Sequence, residues 1–134
     1  MSKIIVTGSN GRFGKILQNL NNKNFVFRNK KQLNILSSLS IEKNLKKYKP
    51  KYILHLAGLS RPMKIHNEDI NKSINLNIIG ICNLVKEASK LGIKVIDLST
   101  SYVYPGTKGN YNENDALKPW NNYSWSKLGG ECAV

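Results

Sequence analysis

At 134 residues the chain has the length of one domain with a sizeable core. Its composition, 40% hydrophobic with no apolar run long enough to span a bilayer, excludes a membrane-spanning class. A net charge of +13 raises nucleic acid as a partner, but 18 of the 21 cations are lysines scattered along the whole chain. Base-edge and phosphate recognition favours arginine forks, so the charge argues for an anionic small ligand rather than a nucleic acid. Met1-Ser2-Lys3-Ile4-Ile5-Val6 runs straight into a strand pattern, and no secretory leader is read there. Cys82 and Cys132 lie far apart with no metal-type spacing, and no metal site is expected. A reduced, cytoplasmic setting follows as the expectation.

Lys3–Thr7 reads as a buried strand, rich in Ile and Val. Arg12–Asn21 reads as a helix with Phe13, Ile16, Leu17 and Leu20 on one face, and Asn24–Arg28 as a short second strand. Leu33–Ile35 is a further short strand candidate. The Ile41, Leu45, Tyr48 spacing predicts a helix over Ser40–Lys49, stopped by Pro50. Tyr52–Ala57 is a third apolar strand, followed by polar loop over Gly58–Glu68. A long helix is expected over Asp69–Lys90, with Gly92 just past its end. Lys94–Ser99 is another strand, and a loop marked by Pro105-Gly106 and Lys108-Gly109-Asn110 leads to a last helix from Asn122. Alternating strands and helices predict an α/β domain with a parallel sheet covered on both faces.

Gly8-x-x-Gly11-x-x-Gly14 lies between the first strand and the first helix. The first glycine permits a tight turn, the second a close approach of backbone to a pyrophosphate, the third close packing of helix on strand. A helix N-terminus then offers free N–H groups and a positive dipole end to an anion. A plain glycine-rich turn is the alternative. Strand two ends at Phe27-Arg28-Asn29-Lys30-Lys31, with no acid to accept hydrogen bonds from a ribose diol. Arg28 with Lys30 or Lys31 suits a 2′-phosphate, so NADP(H) is preferred and NAD(H) is the alternative. Ordinary solvated surface cations would leave the same pattern.

Tyr123 and Lys127 stand four apart on the last helix and share a face. An ammonium nearby favours the phenolate and makes a phenol a usable acid near neutral pH. A surface aromatic beside a solvated lysine is the plainer reading of that spacing. Leu98-Ser99-Thr100-Ser101-Tyr102-Val103-Tyr104 places hydroxyls at the carboxyl end of the strand over 94–99, where ligands bind in such sheets. Capping and turn chemistry would account for them equally. His55 reads as a hydrogen-bonded core histidine. His66, in polar loop, is given no role. Packing is the expectation for Trp120 and Trp125, with Trp120 a candidate border of a substrate mouth.

With these motifs in place the chain resembles the extended branch of the short-chain dehydrogenase/reductase family. The matching runs are Thr7-Gly8-x-x-Gly11-x-x-Gly14, His55-Leu56-Ala57-Gly58, Asn77-Ile78-Ile79-Gly80, the Ser99-Thr100-x-Tyr102-Val103-Tyr104 run and Tyr123-x-x-x-Lys127. They occur in family order and cover the whole chain. Within that branch it is most similar to the dTDP-4-dehydrorhamnose reductases, which carry Asp where this chain has Ser101. The resemblance implies a Rossmann-type doubly wound sheet, incomplete at its C-terminal side. It makes Thr100, Tyr123 and Lys127 the catalytic set, and Thr100 and Ser101 the substrate contacts. It places Gly8, Asn10, Gly11, Arg12, Phe13 and Gly14 at the pyrophosphate and Asn34 and Ile35 by the adenine, with Asn34 at a position where the family has Asp. Ala57, Gly58, Leu59 and Ser60 would follow the cofactor along the strand edge, Leu98 would approach the nicotinamide, and Tyr123 and Lys127 would touch the cofactor as well.

The expected function is reduction of a sugar-nucleotide ketone by NADP(H) or NAD(H). An epimerase or dehydratase of the same family is the enzymatic alternative, and a non-catalytic dinucleotide-binding or protein-interaction module the alternative from another class. A family member runs roughly twice this length, so the substrate-binding region is expected to lie outside these 134 residues. Little activity is expected of the 134-residue chain alone, and a full-length form could pair as a homodimer.

Overall fold

The computed structural model describes residues 2–134. Four parallel strands form one sheet: β1 (Ile4–Thr7), β2 (Phe25–Arg28), β3 (Tyr52–His55) and β4 (Lys94–Asp97), in the order β2-β1-β3-β4. The register aligns Ile5 with Val26 and Ile53, and Ile53 with Val95. That row of β-branched side chains forms one sheet face. It packs with Ile41 and Leu45 of α2 (Ser38–Tyr48) and with Leu84 and Ala88 of α5 (Gly80–Ser89) into a single buried cluster.

Local chemistry fixes these helices. Ser37 caps α2 by accepting from the Ser40 N–H, and Lys49 closes it in a left-handed turn at φ 44° before Pro50. The opposite sheet face, carrying Val6, Leu54 and Ile96, is covered unevenly. α1 (Arg12–Gln18) is only seven residues long, its expected apolar side leaves Phe13, Ile16 and Leu20 exposed, and Ile96 on the β4 edge is half exposed.

Three expectations are corrected. Leu33–Ile35 is not a strand: both apolar side chains are buried, but Leu33 N–H donates to Asn29 O (2.9 Å) and Asn34 N–H to Ser40 Oγ (3.0 Å), so the backbone turns instead of joining a ladder. The segment over 58–68 is not all loop, because it ends in a short helix α3 (Ile65–Glu68). The long helix begins as α4 (Ile70–Ile74), capped by Asp69, and passes through a π-helical turn over Asn75–Ile79 before α5. Continuous apolar periodicity hides such a turn. α6 (Asn122–Glu131) packs closely on this turn, and a Cβ on Gly130 would collide with the Asn77 carbonyl.

Candidate functional site

The glycine turn is built as its spacing predicts. Gly8 adopts φ +66°, and a Cβ there would stand 2.7 Å from the Ala57 nitrogen. Gly14 presses against Ser9, where a Cβ would come within 2.7 Å of the Ser9 Cα. The turn is fastened to β3 by Thr7, whose Oγ accepts from the Leu56 and Ala57 N–H groups (3.1 and 3.2 Å). With its lone pairs so used, the hydroxyl donates to His55 Nδ1 at 2.9 Å, which leaves the ring proton of His55 on Nε2.

His55 is the core histidine that the sequence suggests, and burial pushes its pKa from 6.5 down to about 4. The Asp97 carboxylate opposes that shift and the Lys127 ammonium adds to it. Between these pH values the unfolded chain binds a proton that the folded chain refuses. Stability is therefore full above pH 6.5 and falls as the pH drops toward 4, by about 3 kcal/mol in total. Urea unfolding midpoints from pH 7 to 4 should show the loss, and His55→Gln should remove the part of it that falls between pH 6.5 and 4.5. An identical pH dependence in the variant would contradict the assignment.

Between the turn, the end of β2 and the end of β3 lies a cavity of about 270 Å³. Of the residues expected at the cofactor, Gly8, Asn10, Gly11, Asn34, Ile35, Ala57 and Gly58 line it, joined by Asn29, Lys30, Leu33, Leu56 and Leu76. Arg12, Phe13, Gly14, Leu59, Ser60 and Leu98 lie outside its walls; Arg12, Phe13, Ser60 and Leu98 are exposed nearby. Arg28 is also outside. Its guanidinium lies over the Tyr48 ring, 4.3 Å from the centroid, and Lys30 is the cation that reaches the cavity wall. An apolar recess ending in amide side chains, a lysine and a glycine turn too tight for any Cβ fits the adenosine-phosphate half of a dinucleotide.

α6 starts with a capping box in which Asn121 and Ser124 satisfy each other's backbone N–H groups. It presents Tyr123 and Lys127. The Tyr123 ring packs 5.0 Å from the His66 ring and 6.2 Å, edge-on, from Tyr102. Lys127 Nζ is ion-paired with Asp97 Oδ2 at 3.5 Å. Thr100 and Tyr123 line different recesses. The Thr100 Oγ accepts from the Tyr102 N–H (3.3 Å), and Thr100 shares its recess with Ser101 and Glu131, while Tyr123 borders the other with His66 and Trp120. Trp120 borders that second recess and packs on one side against the Tyr102 ring, 5.7 Å between centroids, while both Trp120 and Trp125 stay largely exposed.

Three residues of the site carried no role in the sequence reading. Asn77 accepts from Leu59 N–H (2.7 Å) and donates to Leu59 O (2.9 Å) and to Ser126 Oγ (2.9 Å). It joins the loop after β3 to the helix of Tyr123 and Lys127. Its place in the Asn77-Ile78-Ile79-Gly80 run was the available signal. Asp97 hides in a strand, where no pattern marks it. His66 is buried, with Nδ1 2.6 Å from Ser73 Oγ and no hydrogen-bond partner at Nε2 among the described residues. Burial pushes its imidazole below the ordinary range, with the Ser60 backbone opposing.

The model of the RmlD substrate binding domain matches residues 2–134. The chain belongs to that family. Among its relatives, methionine adenosyltransferase 2 subunit beta of Pongo abelii is 34% identical over 143 residues, covering 98% of this chain and 42% of that protein. A solved dTDP-4-dehydrorhamnose reductase of Bacillus anthracis, in complex with NADP, superimposes with a TM-score of 0.90 at 28% identity, over 99% of this chain and 48% of the other. MoeE5, solved with UDP-glucose and NAD, gives 0.83 at 25% identity, over 98% and 47%. This RmlD-family chain therefore shares the Rossmann-like α/β fold of the dehydrorhamnose reductases, and it spans less than half the length of these relatives. No helix among its described residues is long and apolar enough to cross a membrane.

Proposed function

We propose that the chain forms the cofactor-binding and proton-transferring part of a cytoplasmic, NADP(H)-preferring reductase of a sugar-nucleotide ketone. The observation that carries this reading is the cavity at the glycine turn, linked through Asn77 to the helix bearing Tyr123 and Lys127. Gly8, Gly11, Asn34, Ile35, Ala57 and Gly58 would hold the adenosine and phosphate portion, and Lys30, with Arg28 two residues before it at the end of β2, a 2′-phosphate. The nicotinamide supplies the hydride when bound. Tyr123 gives a proton to the substrate oxygen, and Lys127, one helical turn further on, donates to the ribose. Thr100 and Ser101, at the carboxyl end of β4, orient the substrate.

One charge-assisted contact to a 2′-phosphate is worth about 1.5–3 kcal/mol, so NADPH should bind roughly tenfold or more tightly than NADH. Calorimetric titration of both cofactors tests this, with Lys30→Ala and Arg28→Ala expected to erase the difference between them. Equal affinities in the unaltered protein would sink the preference, and the absence of binding to either would sink the reading itself.

The adenosyltransferase subunit among the relatives favours a second reading, a dinucleotide-binding module that docks onto an enzyme. Under it NADPH still binds, while keto-sugar nucleotides are not reduced even by a form extended to the length of the relatives.

A further inference from the structure

Lys127 is met, at the carboxyl end of the sheet, by a carboxylate with no other task. Asp97 ends β4, in register with His55 at the end of β3, and Thr7 ends β1 beside it. A polar row, Thr7, His55, Asp97 and Lys127, thus crosses from the glycine-turn strand to α6. The Asp97 and Lys127 side chains are 6% and 12% exposed, and their Oδ2 and Nζ atoms stand 3.5 Å apart. The second oxygen, Oδ1, is buried and has no hydrogen-bond partner among the described residues. Other titratable groups near this end of α6 are otherwise engaged. Glu131 bonds Ser99, His66 and Tyr102 pack about the Tyr123 ring, and His55 faces Thr7.

We propose that Asp97 is a positioning residue for Lys127, anchoring the ammonium beside the end of β4 so that it meets the cofactor and Tyr123 from one fixed place. The reason is electrostatic. A nearly buried ammonium needs a counter-charge, and removing one member of such a pair leaves the other uncompensated. A lysine stem has four rotatable bonds and no preferred direction of its own. Asp97 supplies both the charge and the direction. Its Oδ2 takes Lys127, and the burial of the carboxylate leaves that ammonium as its counter-charge. The consequence for cofactor binding rests on the function proposed above, but the anchoring does not.

The two parts are tested separately. In the 134-residue protein labelled with ¹⁵N-lysine, the Lys127 ammonium, assigned by its loss in Lys127→Met, should exchange with solvent at least tenfold more slowly than that of exposed Lys3. Asp97→Asn should abolish the protection and Asp97→Glu should keep most of it. Lys127 exchanging as fast as Lys3 in the unaltered protein overturns the proposal even if the Asn variant does not fold. In NADPH titrations, Asp97→Asn should cost about tenfold in affinity, Asp97→Glu should restore much of it, and Asp97→Asn should cost nothing further when Lys127 is already Met. An equal loss in both backgrounds would mean that Asp97 does not act through Lys127. Absence of NADPH binding to the unaltered protein would instead count against the proposed function and leave the exchange result to decide the anchoring.

Discussion

Tyr123→Phe should lower the turnover of a keto-sugar nucleotide about 10²–10⁴-fold, the usual worth of a placed general acid. The measurement needs a form of the protein extended to the length of its relatives, because binding energy from remote parts of the substrate positions the reacting centre. Cofactor affinity should barely move, since the phenyl ring keeps its contacts with His66 and Tyr102 and only the hydroxyl is lost. Lys127→Ala should reduce both turnover and cofactor affinity, because the ammonium serves the phenol and the ribose. Near-normal turnover in the Phe variant would remove Tyr123 from the catalytic set. A loss of affinity equal to the loss of turnover would make it a packing residue.

Gly8→Ala is expected to be the most damaging small substitution for stability. At φ +66° a side chain strains the backbone by about 1–2 kcal/mol. The added methyl also lands on backbone atoms of Leu56 and Ala57, at 2.7 Å, and backbone cannot rotate out of the way as a side chain can. Relieving that clash costs about 1–3 kcal/mol more. The sum, about 2–5 kcal/mol, is a large part of the stability of a domain this size and should lower Tm by roughly 10 °C or more. Gly106→Ala is the control. Gly106 has a similar φ, +72°, but nothing lies within 4 Å of the added Cβ, so only the strain remains. Thermal melts of the two variants separate strain from collision, and equal losses would show that the approach of β3 to the turn is not as close as described.

The parts of this fold legible in the sequence are those fixed by neighbours in the chain. The four strands, the glycine turn, α2 (expected over Ser40–Lys49, found over Ser38–Tyr48) and the helix carrying Tyr123 and Lys127 all follow from local apolar patterns and turn residues. Leu33 and Ile35 read correctly as buried, but their alternation mimics a strand where no ladder partner exists. The π turn over Asn75–Ile79 was illegible because continuous apolar spacing hides it, and the helix that packs on it, through Gly129 and Gly130, lies about fifty residues further along the chain. The cavity at the glycine turn is lined by seven of the sixteen residues expected at the cofactor, those of the turn itself and of the segments directly beside it. The wide-ranging contacts were missed. Arg28 turned to Tyr48, and Lys127 to Asp97, because each partner sits twenty or thirty residues away on another element.

Asn77 satisfies three hydrogen bonds with one small amide, and this sets how much freedom evolution has at that position. Asp, the same size, would lose both donors and face the Leu59 carbonyl with a charge. Gln would need room for a methylene, and the amide oxygen already stands 3.0 Å from where a Cβ on Gly58 would be. Ser would reach neither side. A residue whose every near neighbour in chemistry fails is one that drift cannot replace in a single step. The loop after β3 and the helix of Tyr123 are therefore tied at one fixed spacing, and a shift of either must be matched by the other for the three bonds to survive.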